Sequence, residues 1–333
     1  MSSITQFGNR LYTGETSINF IGRRTLWYII SIVGISLAIG AAALRGGFSF
    51  GIEFRGGSEF QISNPAQVDT SIAVDTVTSD IGADAQTRVT IVGGSSVRVQ
   101  TDQLTTEEND ALRASLATAY SVDINSVTSS FIGASWGSDI TSQALRALAI
   151  FVVLVSVVMA LYFRTWKMSV AAIVAMLHDL VLTAAVYGAF GLEVTPAAVI
   201  GLLTILGYSL YDTVVVFDKV RENTAIAYDE SKRTFAESVN LAVNQTLVRS
   251  INTSIVAILP VGAILFIGSM LLGAGTLRDI ALSLFVGILS GAYSTMFIAA
   301  PLYAQLREGE TEDRKQGRAQ RTEIVRNSAG AVR

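Results

Sequence analysis

The chain has 333 residues, half of them hydrophobic, and a mean hydropathy of +0.48, a composition normal for a multi-span membrane protein and high for a soluble one. It has no cysteine and one histidine, His178, which excludes disulfides, cysteine-ligated metals, thiol catalysis and His-rich metal sites. The net charge of −3 says little alone, and neither a G-x-x-x-x-G-K-[ST] loop nor a G-x-G-x-x-G turn is present, so the chain does not power itself from its own nucleotide site.

Residues 1–25 are polar and carry Arg10, Arg23 and Arg24. Residues 26–44 form the first uninterrupted apolar run, just long enough to cross a bilayer as a helix. A signal peptide is the rival reading. The length of the run and the five apolar runs after it count against that.

Residues 45–140 are different material, with twelve acids against five basic residues. Ser58–Ile62 reads as a strand, and Gln67–Ile81 has apolar positions near helical spacing. Arg88–Val92 and Ser96–Gln100 are β-rich and joined by Gly93-Gly94-Ser95, a hairpin signal. Thr105-x-x-Glu108 is a capping box opening a helix through Ala119, and Val122–Ile132 supplies a last strand. The order β-α-β-β-α-β predicts an α+β ferredoxin-like domain.

From residue 141 to 304 the apolar runs return, with spans expected at 144–163, 168–190, 194–217, 247–271 and 278–303. With 26–44 they make six. The connection 218–246 is expected as a loop carrying Lys219, Arg221, Lys232 and Arg233 and a short amphipathic helix through Phe235, Val239 and Ala242. The tail 305–333 is polar and expected to be largely disordered. Gly268–Gly275 reads as a flexible turn or span end, and Gly287-x-x-x-Gly291 as a close-packing pattern. Basic residues in the short loops put both termini and 218–246 in the cytoplasm and 45–140 outside.

Four ionisable groups stand within the apolar runs: His178, Asp179, Asp212 and Arg249. An acid at the centre of a span costs about 2.5–3.5 kcal/mol on insertion scales, so each needs a partner. Asp212 shares a helical face with Tyr208 and Thr204, and Arg249 shares one with Asn252 and Thr253. Asp212 ends a span where Arg249 begins the next, so the two fall at similar depth. Arg249 also suits snorkelling to the interface, and Asp179 and His178 suit static helix-to-helix hydrogen bonds. A buried acid beside an arginine is also a group that can change protonation state as its surroundings change. No catalytic constellation, metal site or cofactor site is visible, and no enzyme activity is expected.

The run Gly207-Tyr208-Ser209-Leu210-Tyr211-Asp212-Thr213-Val214-Val215-Val216-Phe217-Asp218 resembles the fourth-span signature of the SecF family of protein-export membrane subunits. Gly51-Ile52-Glu53-Phe54-Arg55-Gly56-Gly57 resembles that family's G-I-D-F-x-G-G, and Gln245-Thr246-Leu247-Val248-Arg249-Ser250 its Q-T-L-x-R-[ST]. Two positions depart: Tyr211 stands where the family usually has asparagine, and Glu53 where it has aspartate. The resemblance implies a resistance-nodulation-division type membrane unit shared with SecD. Such a unit works beside the SecYEG channel and the SecA motor, with YajC and YidC as further companions, on a translocating preprotein. It uses the proton motive force to complete export after ATP-driven translocation. It also implies that Asp212 and Arg249 form the coupling pair; Asp179, His178, Tyr208, Tyr211, Thr213 and Asn252 read as supporting polar groups within the spans. The alternative is a proton-coupled exporter of small molecules or lipids in the same superfamily. Six spans is half of what such an exporter needs, and the domain is small for a drug-binding one. A scaffold with no ion coupling is a third reading.

Overall fold

A computed structural model describes residues 3–82, 87–163, 165–230, 234–268 and 275–308. The N-terminal segment is a short helix, α1 (Ser3–Thr13), and it is tied down. Leu11, Phe20 and Ile21 are buried, and the Ile18 and Phe20 amides donate to the Asn244 and Asn240 side chains at 2.8 Å. The first span, α2 (Arg24–Leu44), is mostly apolar along its 21 residues, about 30 Å at 1.5 Å per residue.

Strand β1 (Ser49–Phe50) and a single turn, α3 (Ile52–Arg55), lead into the α/β domain. Its elements are β2 (Gly57–Ser63), α4 (Thr70–Asp80), β3 (Arg88–Val92), β4 (Ser96–Thr101), α5 (Thr106–Ala119) and β5 (Val127–Ile132). The sheet order is β3-β4-β2-β5, with every neighbouring pair antiparallel, the ferredoxin-like arrangement expected from the element order. Strand alternation explains the core: Phe60 and Ile62 from β2 and Val97 and Val99 from β4 point one way, against Val77, Leu112 and Leu116 of the two helices. The expected capping box is formed, with the Thr105 hydroxyl accepting from the Glu108 amide and the Glu108 carboxylate from the Thr105 amide.

Gly56 and Gly57 adopt φ of +79° and +144°, which only glycine visits at little cost. A Cβ on Gly57 would also run into the Thr101 carbonyl. Gly57→Ala is therefore expected to cost about 1–3 kcal/mol of stability, read as a lowered unfolding midpoint and faster amide exchange along β2. An unchanged midpoint would contradict this.

The remaining spans are α6 (Ala134–Phe163), α7 (Trp166–Phe190), α8 (Pro196–Glu230), α9 (Phe235–Ala263) and α10 (Gly275–Ser294). Among the described residues six helices are long and apolar enough to cross a membrane, and the sixth runs on to Glu308. Helix α7 ends on Gly191 at φ +63°, with the Leu192 amide donating back to Tyr187 O. Two-residue strand β6 (Glu193–Val194) follows and pairs in parallel with β1, tying the base of the α/β domain to the α7–α8 turn.

Helices outrun the apolar runs. The segment 218–246, expected as a loop, is instead the end of α8 and the start of α9 around residues 231–233, which lie outside the described residues. Polarity ends an apolar run without ending a helix. Lys219–Glu222 (2.7 Å) and Asp218–Arg221 (3.7 Å) pair one turn apart on α8, and a Thr234–Glu237 capping box opens α9. The expected short helix through Phe235, Val239 and Ala242 is the first part of α9. The domain edge expected near 140 falls inside α6. Lys232, Arg233, most of the Gly268–Gly275 turn and the tail from 309 lie outside the described residues.

Helices α8 and α10 meet along a glycine seam. A Cβ on Gly201 would strike Ser283, one on Gly287 would strike Ile205, and one on Gly291 would lie 2.9 Å from Ser209 Cβ. The bundle core around this seam includes Phe163, Met168, Met176, Leu206, Phe217 and Tyr303. Wide π turns interrupt α9 after Pro260 (Ile264–Gly268) and follow α10 (Thr295–Ala299).

Candidate functional site

The two membrane acids sit in unlike surroundings. Asp179, on α7, is 1% exposed. Ser209 of α8 donates to its Oδ2 at 2.5 Å, Ser294 to the same oxygen at 2.8 Å, and Ser290 to Oδ1 at 2.8 Å. His178 Nδ1 lies 3.3 Å from Oδ1, and its Nε2 is in hydrogen-bond contact with Ser31 of α2. The carboxylate thus gathers donors from α8 and α10 at the glycine seam, and His178 carries the contact to α2. This is the geometry of a fastener: each accepting oxygen is occupied.

Asp212, on α8, is 7% exposed. Ser250 of α9 donates to its Oδ1 at 2.7 Å. Its Oδ2 is buried with no hydrogen-bond partner among the described residues. Arg249 is the next residue along α9, but its side chain turns outward and is exposed. Its Nη2 donates to the Tyr211 hydroxyl at 3.4 Å, and no ion pair to Asp212 forms among the described residues. Tyr211 is 54% exposed, so its phenol holds the arginine on the rim of the site. Thr213 bridges to Thr295 in the π turn at 3.0 Å, Tyr208 donates to Thr253 O at 3.0 Å, and Asn252 is exposed beside Arg249.

The sequence reading picked out both acids and the arginine but missed Ser209, Ser250, Ser290 and Ser294. Ser209 and Ser250 lie inside the quoted motifs without being singled out, and for Ser290 and Ser294 only spacing against a known acid would serve as a signal. What the arrangement offers chemically is a buried carboxyl with one hydrogen-bonded oxygen and one unbonded, near an exposed arginine held by Tyr211. An unbonded carboxyl oxygen can accept a proton or a hydrogen-bond donor.

Among the motif glycines, Gly51 starts α3 and Gly56 and Gly57 make the turn into β2. Glu53 faces the α7–α8 turn: a Cβ on Gly51 would collide with Glu53 Oε2 and lie 3.3 Å from Glu193 Oε1. Both of those oxygens are buried without a partner among the described residues. Burial raises the Glu53 carboxyl above its ordinary value. Its own backbone amide pulls it back, and Glu193, Glu59 and Asp279 push it further up. A folded value above the unfolded one means that Glu53 supports folding at low pH. That support is lost as pH rises from about 4.3, the ordinary glutamate value, through the folded value. Glu53→Gln is therefore expected to be more stable than the parent at neutral pH and to lose this pH step, read from unfolding midpoints across a pH series. A step that persists in the variant would assign it to another group.

The fold and site define a multi-pass membrane protein with one α/β domain inserted between its first and second spans. A family model described as "Protein export membrane protein SecD/SecF, C-terminal" matches residues 112–309, and one described as "SecD/SecF GG Motif" matches 46–63. The protein translocase subunit SecF of Streptomyces coelicolor is 44% identical over 312 residues, covering 94% of this chain and 83% of that one. SecF of Mycobacterium tuberculosis strain H37Rv is 42% identical, covering 98% and 72%. The crystal structure of SecDF from Thermus thermophilus superposes with a TM-score of 0.76 at 29% identity, over 88% of this chain and 39% of that longer one. The chain belongs to the SecD/SecF family and is a SecF-type protein translocase subunit. Those relatives are named as protein translocase subunits.

Proposed function

We propose that this chain is the SecF half of a proton-driven export unit completed by a SecD chain. In this reading both termini and the 218–246 helix ends lie in the cytoplasm and the α/β domain lies outside. The partner half covers the rim formed by Tyr211, Arg249 and Asn252. Asp212 takes a proton from the outer side and releases it to the cytoplasm. Arg249, freed from Tyr211, stabilises the ionised state. The resulting shift between α8 and α9 passes to the α/β domain, which biases an emerging preprotein outward beside the SecYEG channel after SecA has acted. YajC and YidC would adjoin the unit in the membrane.

The observation that carries this reading is the Oδ2 of Asp212, buried and unbonded within reach of an arginine that is not yet paired with it. An exposed arginine and asparagine beside exposed Ile251 and Ile255 suit a protein neighbour better than lipid. The Thermus relative, whose title names SecDF, carries sequence well beyond the part that this chain matches, which supports a SecD partner. The test is preprotein export in membrane vesicles with proton and sodium gradients imposed separately. Export that follows the proton gradient supports the proposal; export that follows only sodium, or neither, overturns it.

A further inference from the structure

On the side of the bundle that carries the α/β domain, a cavity of about 210 Å³ opens between α7, α8, α10 and β1. Phe48, Phe50, Val194, Ala198, Val199 and Leu202 supply its apolar wall. The two strands explain this lining. Side chains alternate along a strand, so Phe48, Phe50 and Val194 turn to the cavity while Glu193 turns to Gly51 and Glu53. Phe48 and Phe50 are each about half exposed at its mouth. The volume is below that of a usual drug-sized site and suits part of a flexible chain. At its inner end lies Thr183, 2% exposed, whose hydroxyl oxygen has no partner among the described residues.

Two cations stand at the C-terminal end of α7, the helix that lines the slot with Thr183, Ala184 and Tyr187. Arg45, exposed, donates from Nη1 to Phe190 O at 3.5 Å, and Arg88 donates from Nη2 to Gly191 O at 2.8 Å. Each guanidinium has five N–H donors, and these bonds use one apiece. An apolar slot open at membrane depth, with two guanidiniums at the level where the span ends, matches one kind of molecule: a lipid with an anionic head and an acyl tail.

We propose that this cavity is a phospholipid site, with an acyl chain lying against Phe48, Phe50 and Val194 and the phosphate held by Arg45 and Arg88. The lipid then packs one face of the β1–β6 pair, the link between the α/β domain and the membrane helices. This does not depend on proton coupling at Asp212.

The test uses the full chain in nanodiscs of phosphatidylglycerol with a diazirine on the acyl chain, and maps photoadducts by mass spectrometry. The exposed face of α2 at Ile32 and Leu37 gives the reference for ordinary lipid contact. Adducts at Thr183–Tyr187 and Ala198–Leu202 are expected to exceed that reference several-fold. Ala184→Phe and Val199→Phe, two separate ways to fill the slot, are each expected to remove the excess and leave the α2 adducts unchanged. Arg45→Gln together with Arg88→Gln is expected to lower the excess about tenfold, the equivalent of one charge-assisted contact. The proposal is overturned if slot adducts only equal the α2 reference, or if they survive both fillings. Thermal midpoints of the two filled variants identify one that has misfolded, and the other then decides.

Discussion

Asp212→Asn is expected to abolish proton-driven export, with a drop of at least about tenfold, while the protein still inserts and folds. The substitution keeps shape and leaves an oxygen for the Ser250 hydroxyl, which now donates to Asp212 Oδ1 at 2.7 Å. It removes the one thing an amide cannot do, which is to gain and lose a proton. Leaving an unpaired carboxylate at depth costs about 2.5–3.5 kcal/mol on insertion scales, so the neutral amide should if anything stabilise the fold. Moving one charge through the membrane potential supplies about 2.3 kcal/mol per 100 mV, and that supply ends when the carrier cannot titrate. The measurement is export in vesicles under an imposed proton gradient, together with the thermal midpoint of the purified chain. Normal export by the variant would remove Asp212 from the mechanism. Lost export with a lowered midpoint would make it a structural group.

Asp179→Ala is expected to do the reverse and cost stability first. Three serine hydroxyls from α8 and α10 converge on this carboxylate, and the substitution deprives all three at once. Interhelical hydrogen bonds in membranes are worth about 0.6–1.7 kcal/mol each, so the total loss is about 2–5 kcal/mol. His178 also loses its contact, and with it part of the link to Ser31 of α2. The expected readout is a clearly lowered thermal midpoint in detergent and reduced accumulation in the membrane. Asp179→Asn should recover part of this, since its one oxygen still accepts. A midpoint equal to the parent's would show that the serines find other partners, and the fastening role would fall.

By composition these two acids look alike: each is an aspartate in an apolar run, Asp179 with His178 beside it. What separates them is the set of serines around each, and serines leave no periodic trace. The apolar runs marked all six spans because crossing a bilayer demands length and hydrophobicity together. The Thr105–Glu108 capping box and the Gly93-Gly94 hairpin were legible because short-range chemistry fixes both. The reach of α8 and α9 past their apolar runs was not, since charged residues end a membrane span and favour a helix at the same time. Arg249 was legible as a charge at the edge of an apolar run. Its turn toward Tyr211 was not, because side-chain direction depends on a neighbour from another helix.

The parallel pair of β1 and β6 joins residues over 140 positions apart through strands of two residues each, too short for any pattern to announce. Its geometry has a mechanical meaning. Gly51 N–H donates to Val194 O at 2.9 Å, so this junction rests on a few hydrogen bonds lying side by side. A tug along the strands loads those bonds together in shear, and the junction resists. A tug across them opens the bonds one after another, as a zipper opens. The same clasp is therefore stiff to one direction of force and yielding to another, so the direction of load decides whether the domain follows the α7–α8 turn or parts from it.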